Sequence, residues 1–161
     1  MRTLPLSRLA LVAAVVGVLA WSALSMLEGR GGVPVRVPWT APAGMLVIAA
    51  AVVAAGWPVR RWTRGDRSRR LDGLRAARAL VLARASAYSG AALAGLYLAQ
   101  VVLAAPDLDV EARRERFFVA VAAVLASLVM VVAGLVVERW CKLPPPDEED
   151  GQSETRLGGA P

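Results

Sequence analysis

Few side chains in this 161-residue sequence could perform chemistry, and their types exclude several reactions at once. The sequence contains no histidine and a single cysteine, Cys141. It therefore cannot form a Ser-His-Asp triad, a His-ligated metal site, a thiolate cluster or an internal disulfide. The sequence also lacks a nucleophilic serine elbow and a glycine-rich phosphate loop. We expect a protein that is not an enzyme and that uses no cofactor.

Three acidic residues at alternating positions form the pattern that most resembles a metal site. Asp107, Asp109 and Glu111 follow Pro106, and carboxylate oxygens are ligands for divalent cations. Carboxylates also stabilise the N-terminus of a helix, and Arg114 lies three residues after Glu111, close to it on a helix. We therefore interpret these acids as helix-capping residues and expect no bound metal.

Four polar residues within an apolar run define what we call the polar arc: Ser86, Ser89, Tyr97 and Gln100. At about 100° per residue they lie within about 80° of one another around a helix, with Arg84 roughly opposite. Such side chains form hydrogen bonds between membrane helices, and they also line transport paths. Because no charge or proline interrupts this run, we favour hydrogen bonding between helices. Arg84 is expected to reach towards the membrane interface.

Four long apolar segments must position these residues. Hydrophobic residues make up 57% of the chain, and the mean hydropathy is +0.50. The uncharged blocks cover 9–27, 43–59, 85–105 and 117–137, and as helices each is long enough to cross a hydrocarbon core of about 30 Å. We predict an all-α integral membrane four-helix bundle, formed by two helical hairpins within residues 1–143. The predicted helices cover about 9–27, 41–59, 74–105 and 110–140, and a disordered acidic tail follows over 144–161.

The ends of the first two blocks carry further signals. A cleaved signal peptide is an alternative for the first block, but its length and the bulky Trp21 favour a retained helix. Thr40 is expected to cap the second helix, and Pro58 is expected to help end it.

The distribution of lysine and arginine predicts the orientation in the membrane. The N-terminal segment, the loop over 60–84 and the C-terminal segment together contain 14 of these residues, and the two other loops contain five. Positive residues accumulate on the cytoplasmic side of membrane proteins. Both termini and the central loop are therefore predicted to be cytoplasmic.

The central loop over 60–84 is the most basic part of the chain. It contains nine arginines and two aspartates, a net charge of +7. Each basic residue near an anionic leaflet contributes about 1 kcal/mol to membrane association, so we expect binding to anionic lipids. A membrane or cytoplasmic protein partner is a second interpretation. Nucleic acid is not expected, because base-stacking aromatic residues do not alternate with the arginines. The arginines predicted to bind lipid or a partner are Arg60, Arg61, Arg64, Arg67, Arg69 and Arg70.

Small residues recur at every fourth position of the third block, and we call this series the small-residue ladder. Its members are Ala83, Ala87, Ala91, Gly95 and Ala99, with Gly90 and Ala94 beside them. This spacing lets helix backbones approach closely in a membrane. We predict that the third helix is central and packs through Ala87, Gly90, Ala91 and Gly95. The candidate counterparts are Ala13 and Gly17 in the first helix and Ala122 and Ala126 in the fourth.

Several runs near the predicted helix ends carry a family resemblance. They are 56–61 (GWPVRR), 74–78 (LRAAR) leading into 91–97 (AALAGLY), and 134–145 (GLVVERWCKLPP). Together they resemble the actinobacterial membrane-protein family catalogued as domain of unknown function 3180, over about residues 4–146. The resemblance implies a four-helix inner-membrane protein of unassigned activity, often encoded beside folate-biosynthesis genes. It leaves open a link to pterin or folate metabolism or to a neighbouring membrane protease.

The resulting functional prediction is a non-enzymatic, multi-pass protein of the bacterial cytoplasmic membrane. It would act as an interaction or scaffold subunit through its basic cytoplasmic loop. The alternative is a small transporter, or a transporter subunit, with a polar path along the third helix. Cys141 is interpreted as an ordinary interfacial residue rather than as an acylation or oxidation site.

Overall fold

Each of the four apolar blocks forms one long helix in the computed structural model of this chain. The structure describes residues 6–31, 38–63, 73–107, 109 and 111–141. The helices are α1 (Leu6–Gly29), α2 (Thr40–Thr63), α3 (Gly73–Ala104) and α4 (Glu111–Trp140), and a short 3-10 turn (Ala105–Asp107) follows α3. No strand occurs in these described residues, so the all-α prediction is confirmed. The predicted acidic tail over 144–161 lies outside them.

All four helices are long and apolar enough to cross a membrane. The candidate spans are Leu6–Gly29, Thr40–Arg61, Ala77–Ala104 and Arg113–Trp140. Their outward faces carry large apolar side chains, such as Leu11, Val47 and Val132, that are more than half exposed. Extensive exposed apolar surface is unfavourable in water but not in hydrocarbon. The outer surface of the bundle therefore suits a lipid environment.

The local sequence explains several helix ends. After α1, Gly31 adopts a φ of 73° and donates a hydrogen bond from its backbone N–H to the carbonyl oxygen of Glu28 at 3.0 Å. This left-handed conformation favours glycine. The prediction that Pro58 helps end the second helix is wrong, because α2 continues to Thr63. Proline removes one backbone donor but keeps a helical φ, and the buried side chain of Val59 packs the following turn into the bundle.

Helix α3 lies at the centre of the bundle, as the small-residue ladder predicted. It contacts α1, α2 and α4. Leu9 packs against Ala87 and Ala91, and Gly17, further along α1, lies against Gly95, further along α3, so α1 runs parallel to α3. Arg84 meets Glu138, and Gly90, further along α3, lies against Ser127, which comes earlier in α4, so these two helices are antiparallel. Near the ends of α2 and α4, Trp57 meets Trp140, and earlier in both helices Met45 packs with Ala126, so α2 runs parallel to α4. The N-termini of α1 and α3 therefore lie at the same end of the bundle as the C-termini of α2 and α4.

The two predicted hairpins follow each other in chain order, and the helices of the second, α3 and α4, pack against each other. Although α1 and α2 are consecutive, they do not contact each other within the described residues. Instead α1 packs against α3, while α2 packs against both α3 and α4. The physical reason is the close backbone approach between Gly95 and the segment from Ala13 to Gly17, which a helix without facing small residues could not make.

The buried core consists mostly of alanine side chains. They include Ala83, Ala87, Ala123 and Ala126, each at most 4% exposed. Larger buried residues, such as Val52 and Val137, fill the space where α2 meets α4. Small interior side chains allow the helix axes to lie close together, so that backbone atoms of neighbouring helices come into contact, as at Gly90 and Gly95.

Candidate functional site at the basic end of the bundle

The end of the bundle that contains the start of α3 and the end of α4 carries most of the positive charge, and we call it the basic end. Its described side chains have a net charge of +5 and comprise Arg8, Arg60, Arg61, Arg78, Arg84, Arg139 and Glu138. The described side chains of the opposite end have a net charge of zero and comprise Arg30, Arg113, Arg114, Arg116, Glu28, Asp109, Glu111 and Glu115. The fold thus separates a basic end from a neutral one.

Two of the six arginines predicted to bind lipid or a partner lie among the described residues of the basic end. Arg60 is half-buried and Arg61 is exposed, both near the C-terminus of α2. The other four lie outside the described residues: Arg64, Arg67, Arg69 and Arg70. We call the described part of the site, Arg60 and Arg61 at the end of α2, the rim. The sequence adds the other four arginines in the 64–72 segment that follows.

Arg60 is held between two tryptophans at this rim. Trp57 and Trp140 meet edge to face, with ring centroids 6.4 Å apart and planes inclined by 81°. The guanidinium carbon of Arg60 lies 5.4 Å from the centroid of Trp57 and 4.7 Å from that of Trp140. Both distances are within the range of cation–π attraction. This cluster ties the end of α2 to the end of α4 and fixes a positive charge beside two aromatic rings of the kind that favour membrane interfaces.

An ion pair joins α3 to α4 at the same end. Nη2 of Arg84 lies 3.4 Å from Oε1 of Glu138. The side chain of Glu138 is 3% exposed, whereas 40% of the Arg84 side chain remains exposed. A carboxylate buried this deeply requires a positive partner, because an unpaired charge loses its hydration without compensation.

Helical-wheel reasoning did not identify this ion pair. It placed Arg84 opposite the polar arc and directed it to the membrane interface, whereas the structure places it beside α4. One signal in the sequence was available. Arg84 directly precedes the third apolar block and Glu138 directly follows the fourth. If the two helices are antiparallel, these two ends lie close together.

Cys141 lies immediately after α4 and is half-buried. It packs with Trp140 against the buried cluster of Val52, Ala83 and Val137. Burial raises the pKa of the Cys141 thiol above its usual value, because the thiolate form loses hydration there. A thiol with a raised pKa is a poor nucleophile at neutral pH, so the environment does not activate this cysteine.

The small-residue ladder makes the closest helix contacts. A Cβ atom added to Gly95 would collide with the carbonyl oxygen of Ala13 and lie 3.0 Å from the backbone nitrogen of Gly17. A Cβ atom on Gly90 would lie 2.9 Å from the carbonyl oxygen of Ser127. Gly95 therefore contacts α1, and Gly90 contacts α4. Ala87 and Ala91 are buried in the same region, packed with Leu9.

The residues predicted to pack against the small-residue ladder account for only part of the observed contacts. Ala126 is buried, whereas Ala122 is half-buried. Sequence reasoning missed Gly134 of α4, where an added Cβ atom would lie 3.0 Å from Cβ of Ala87. A glycine at helical spacing from Ser127 was the available signal, since 127, 130 and 134 share one face of a helix.

The polar arc is not a continuous buried face. Ser86, Tyr97 and Gln100 are buried, but Ser89 is exposed. The prediction that all four residues face other helices is therefore wrong for Ser89. An arc of about 80° is wide enough that one edge turns outward when the neighbouring helix packs closely on the other.

The buried polar residues have different surroundings. Tyr97 packs in a cluster with Met45, Ala123 and Ala126. The Oγ atom of Ser86 is buried without a hydrogen-bond partner. Across from α3, the hydroxyl of Ser127 donates to the carbonyl oxygen of Ala123 in its own helix at 2.7 Å, and it also lies 3.4 Å from Sδ of Met45 in α2. The buried polar atoms thus do not form a continuous network in the described structure.

The acidic residues before α4 remain at the neutral end. Asp109 and Glu111 are exposed, and the described residues contain no group of three His, Cys, Asp or Glu side chains arranged to hold a metal ion. At the same end, Nη2 of Arg116 lies 3.8 Å from Oε1 of Glu28, a weak link between α4 and α1.

Comparison with protein families gives a match over most of the chain. The model of the family described as "Protein of unknown function (DUF3180)" matches residues 9–145, and the resemblance inferred from the helix-end runs is confirmed. Neither a curated protein nor a solved structure matches the chain significantly.

Proposed function

We propose that this chain, which belongs to the DUF3180 family, is a non-enzymatic interaction subunit of a bacterial cytoplasmic membrane. The observation that carries the proposal is the charge difference between the two ends of the bundle, +5 against zero in the described side chains. Since positive residues collect on the cytoplasmic side, the basic end is the cytoplasmic end. It is also the end to which the arginine-rich loop is attached.

The interior of the bundle is more typical of a scaffold subunit than of a transporter. Gly90 and Gly95 bring α3 against the backbones of α4 and α1, so close packing occurs on two sides of the central helix. Transport paths in membrane proteins usually require ionisable groups or broken helices near the midplane. The ion pair of Arg84 and Glu138 lies near the basic end instead. The basic end is therefore the surface through which the protein acts.

Arginine at this end suits two kinds of anionic surface. A guanidinium group forms paired hydrogen bonds with phosphates and with carboxylates. Anionic lipids hold the rim and the loop against the leaflet, and an acidic surface of a cytoplasmic protein docks on the arginines that remain accessible. The scaffold role requires the second interaction, because lipid binding alone recruits nothing.

Purification from native membranes tests the proposed function. The tagged full-length chain would be isolated in mild detergent at low and moderate salt, and co-purifying proteins and lipids would be quantified by mass spectrometry. The test variant replaces four loop arginines with glutamine: Arg64, Arg67, Arg69 and Arg70. It keeps ten Lys and Arg residues on the predicted cytoplasmic side against five on the other, so the orientation is expected to hold.

A charge-matched control removes the same number of arginines from the opposite side. It replaces Arg30, Arg36, Arg113 and Arg114 with glutamine. The proposal expects a stoichiometric protein partner with the wild type and the control, and its loss with the loop variant. An identical set of co-purifying molecules from all three proteins would overturn the interaction role.

A transporter remains the second candidate because of one observation. The buried hydroxyl of Ser86 has no hydrogen-bond partner, and it shares helix α3 with the buried side chains of Tyr97 and Gln100. A transported polar molecule could supply the missing partner. A small molecule that co-purifies with the wild type and is lost with Gln100→Leu, while the helical content is unchanged, would favour transport over the interaction role.

A further inference from the structure

An apolar groove runs along the outer surface of the bundle between α2 and α4. Its volume is about 620 Å³, and α3 does not contribute to its lining. The floor is formed by small side chains such as Ala49, Ala50, Ala54 and Ala133. Because these alanines leave the space between two helices unfilled, the groove is open along its length to whatever surrounds the bundle.

The length of the groove corresponds to one leaflet of a bilayer. On α2 the lining extends from Leu46 to Trp57. At 1.5 Å per residue these eleven steps span about 16 Å, which is close to half of a hydrocarbon core of about 30 Å. Trp57 also marks the level of the interface, where tryptophan side chains accumulate. The groove therefore reaches from the interface at the basic end to about the middle of the membrane.

Positive charge stands at the interfacial end of the groove. Arg60 is stacked on Trp57, a lining residue, and the exposed Arg61 follows it in α2. The carboxylate of Glu138 is compensated by Arg84, so the local field at this end is positive. This apolar groove is about one leaflet long and ends at two arginines. It therefore matches a molecule with an acyl chain and an anionic headgroup.

We propose that the groove between α2 and α4 binds one anionic phospholipid from the leaflet at the basic end. One acyl chain lies along the alanine floor, and the phosphate lies at Arg61 and Arg60. This site deepens the proposed function and rests on its placement of the basic end at the cytoplasmic leaflet. Its occupant is bound by shape as well as by charge, unlike lipids attracted only by the arginine-rich loop.

Charge also argues against a second copy of the chain in this groove. Two copies in the same membrane have the same orientation, so a symmetric dimer through this face would place two basic ends side by side. Each carries a net charge of +5 in its described side chains, and like charges at an interface are unfavourable. An anionic lipid reduces this charge instead of doubling it.

Native mass spectrometry of the full-length chain tests the site. The protein would be reconstituted with equal amounts of phosphatidylglycerol and phosphatidylcholine with identical acyl chains, and then released in mild detergent. We expect the wild type to retain one phospholipid, with phosphatidylglycerol preferred. Ala54→Leu fills the groove and should reduce retention of both lipids. The control Ala55→Leu changes an exposed α2 residue outside the groove lining and should leave retention unchanged.

A second matched pair tests the headgroup contact. Arg61→Gln should lower the preference for phosphatidylglycerol about fivefold, which corresponds to about 1 kcal/mol for one arginine at an anionic headgroup. Arg78→Gln removes an exposed arginine from α3 at the same end and should preserve the preference. Thermal unfolding of every variant checks that the fold is intact, and no large change is expected because all four sites are exposed.

The possible outcomes separate this site from the proposed function. Equal retention by Ala54→Leu and Ala55→Leu would overturn the groove site. So would a dimer that Ala54→Leu converts to a monomer, because the groove would then be a protein interface. If the fourfold loop variant abolishes lipid preference while Ala54→Leu has no effect, charge in the loop alone attracts lipid. If both matched pairs behave as expected but no protein depends on the loop arginines, the groove site stands and the interaction role fails.

Discussion

Replacing Gly95 with alanine should separate α1 from α3 and destabilise the bundle. The added Cβ atom would lie 3.0 Å from the backbone nitrogen of Gly17 and closer still to the carbonyl oxygen of Ala13. Ordinary contacts of a Cβ atom begin at about 3.4 Å, so α1 must retreat by about 1 Å. Backbone atoms cannot move aside as a flexible side chain can. Overpacking of this kind costs about 1 to 3 kcal/mol.

The sign of this effect distinguishes packing from helix propensity. Alanine is favoured over glycine within a helix by about 0.5 to 1 kcal/mol. If Gly95 faced only lipid, Gly95→Ala would therefore raise the free energy of unfolding. Gly44 of α2 is the matched control, because a Cβ atom there meets nothing within 4 Å. Gly44→Ala should leave stability unchanged or raise it slightly.

Reversible unfolding in mixed detergent, followed by circular dichroism and tryptophan fluorescence, measures both variants. We expect a lower free energy of unfolding for Gly95→Ala and none of that loss for Gly44→Ala. If Gly95→Ala is as stable as Gly44→Ala, the contact between α1 and α3 described above is not the contact that holds α1 in place.

Three further predictions concern the basic end. With single cysteines introduced in a Cys141→Ser background, an impermeant reagent applied to intact cells should label Val35→Cys and not Ser68→Cys; the reverse would overturn the predicted orientation. Arg84→Gln should lower the unfolding free energy more than Glu138→Gln does. The first substitution leaves a carboxylate that is 3% exposed, whereas the second leaves a guanidinium group that is 40% exposed and can be hydrated. Equal losses would show that the two charges are similarly solvated. Since burial raises the pKa of the Cys141 thiol and the thiolate is the reactive form, its alkylation at pH 8 should be slower than that of a cysteine in an unstructured peptide. That rate should keep rising at pH values where the peptide has reached its plateau, and coincident pH profiles would contradict the burial argument.

Composition and local pattern were sufficient to predict the helices. Uncharged blocks of 17 to 21 residues form helices in a membrane, because a helix pairs every backbone polar group within itself. The ladder of small residues also indicated that α3 is central, since close backbone approach requires small side chains on the facing surface. The predicted boundary at 59 placed Arg60 and Arg61 at the start of the central loop, whereas the structure includes both in the last turn of α2.

The tertiary structure decided which helices meet and which charges pair. A helical wheel gives the angle of Arg84 around α3 but not the position of α4, so the ion pair with Glu138 required the packed bundle. The same limitation applies to the exposure of Ser89 and to the contact of Gly134 with Ala87.

Pairwise packing is also the reason that α1 lies against α3 rather than α2. In a membrane, no difference in hydrophobicity selects one helix neighbour over another, because lipid is as apolar as the helices themselves. Sequence therefore determined the secondary structure and the charge asymmetry of this protein. The fit of small residues in three dimensions determined its neighbours, its ion pair and the groove between α2 and α4.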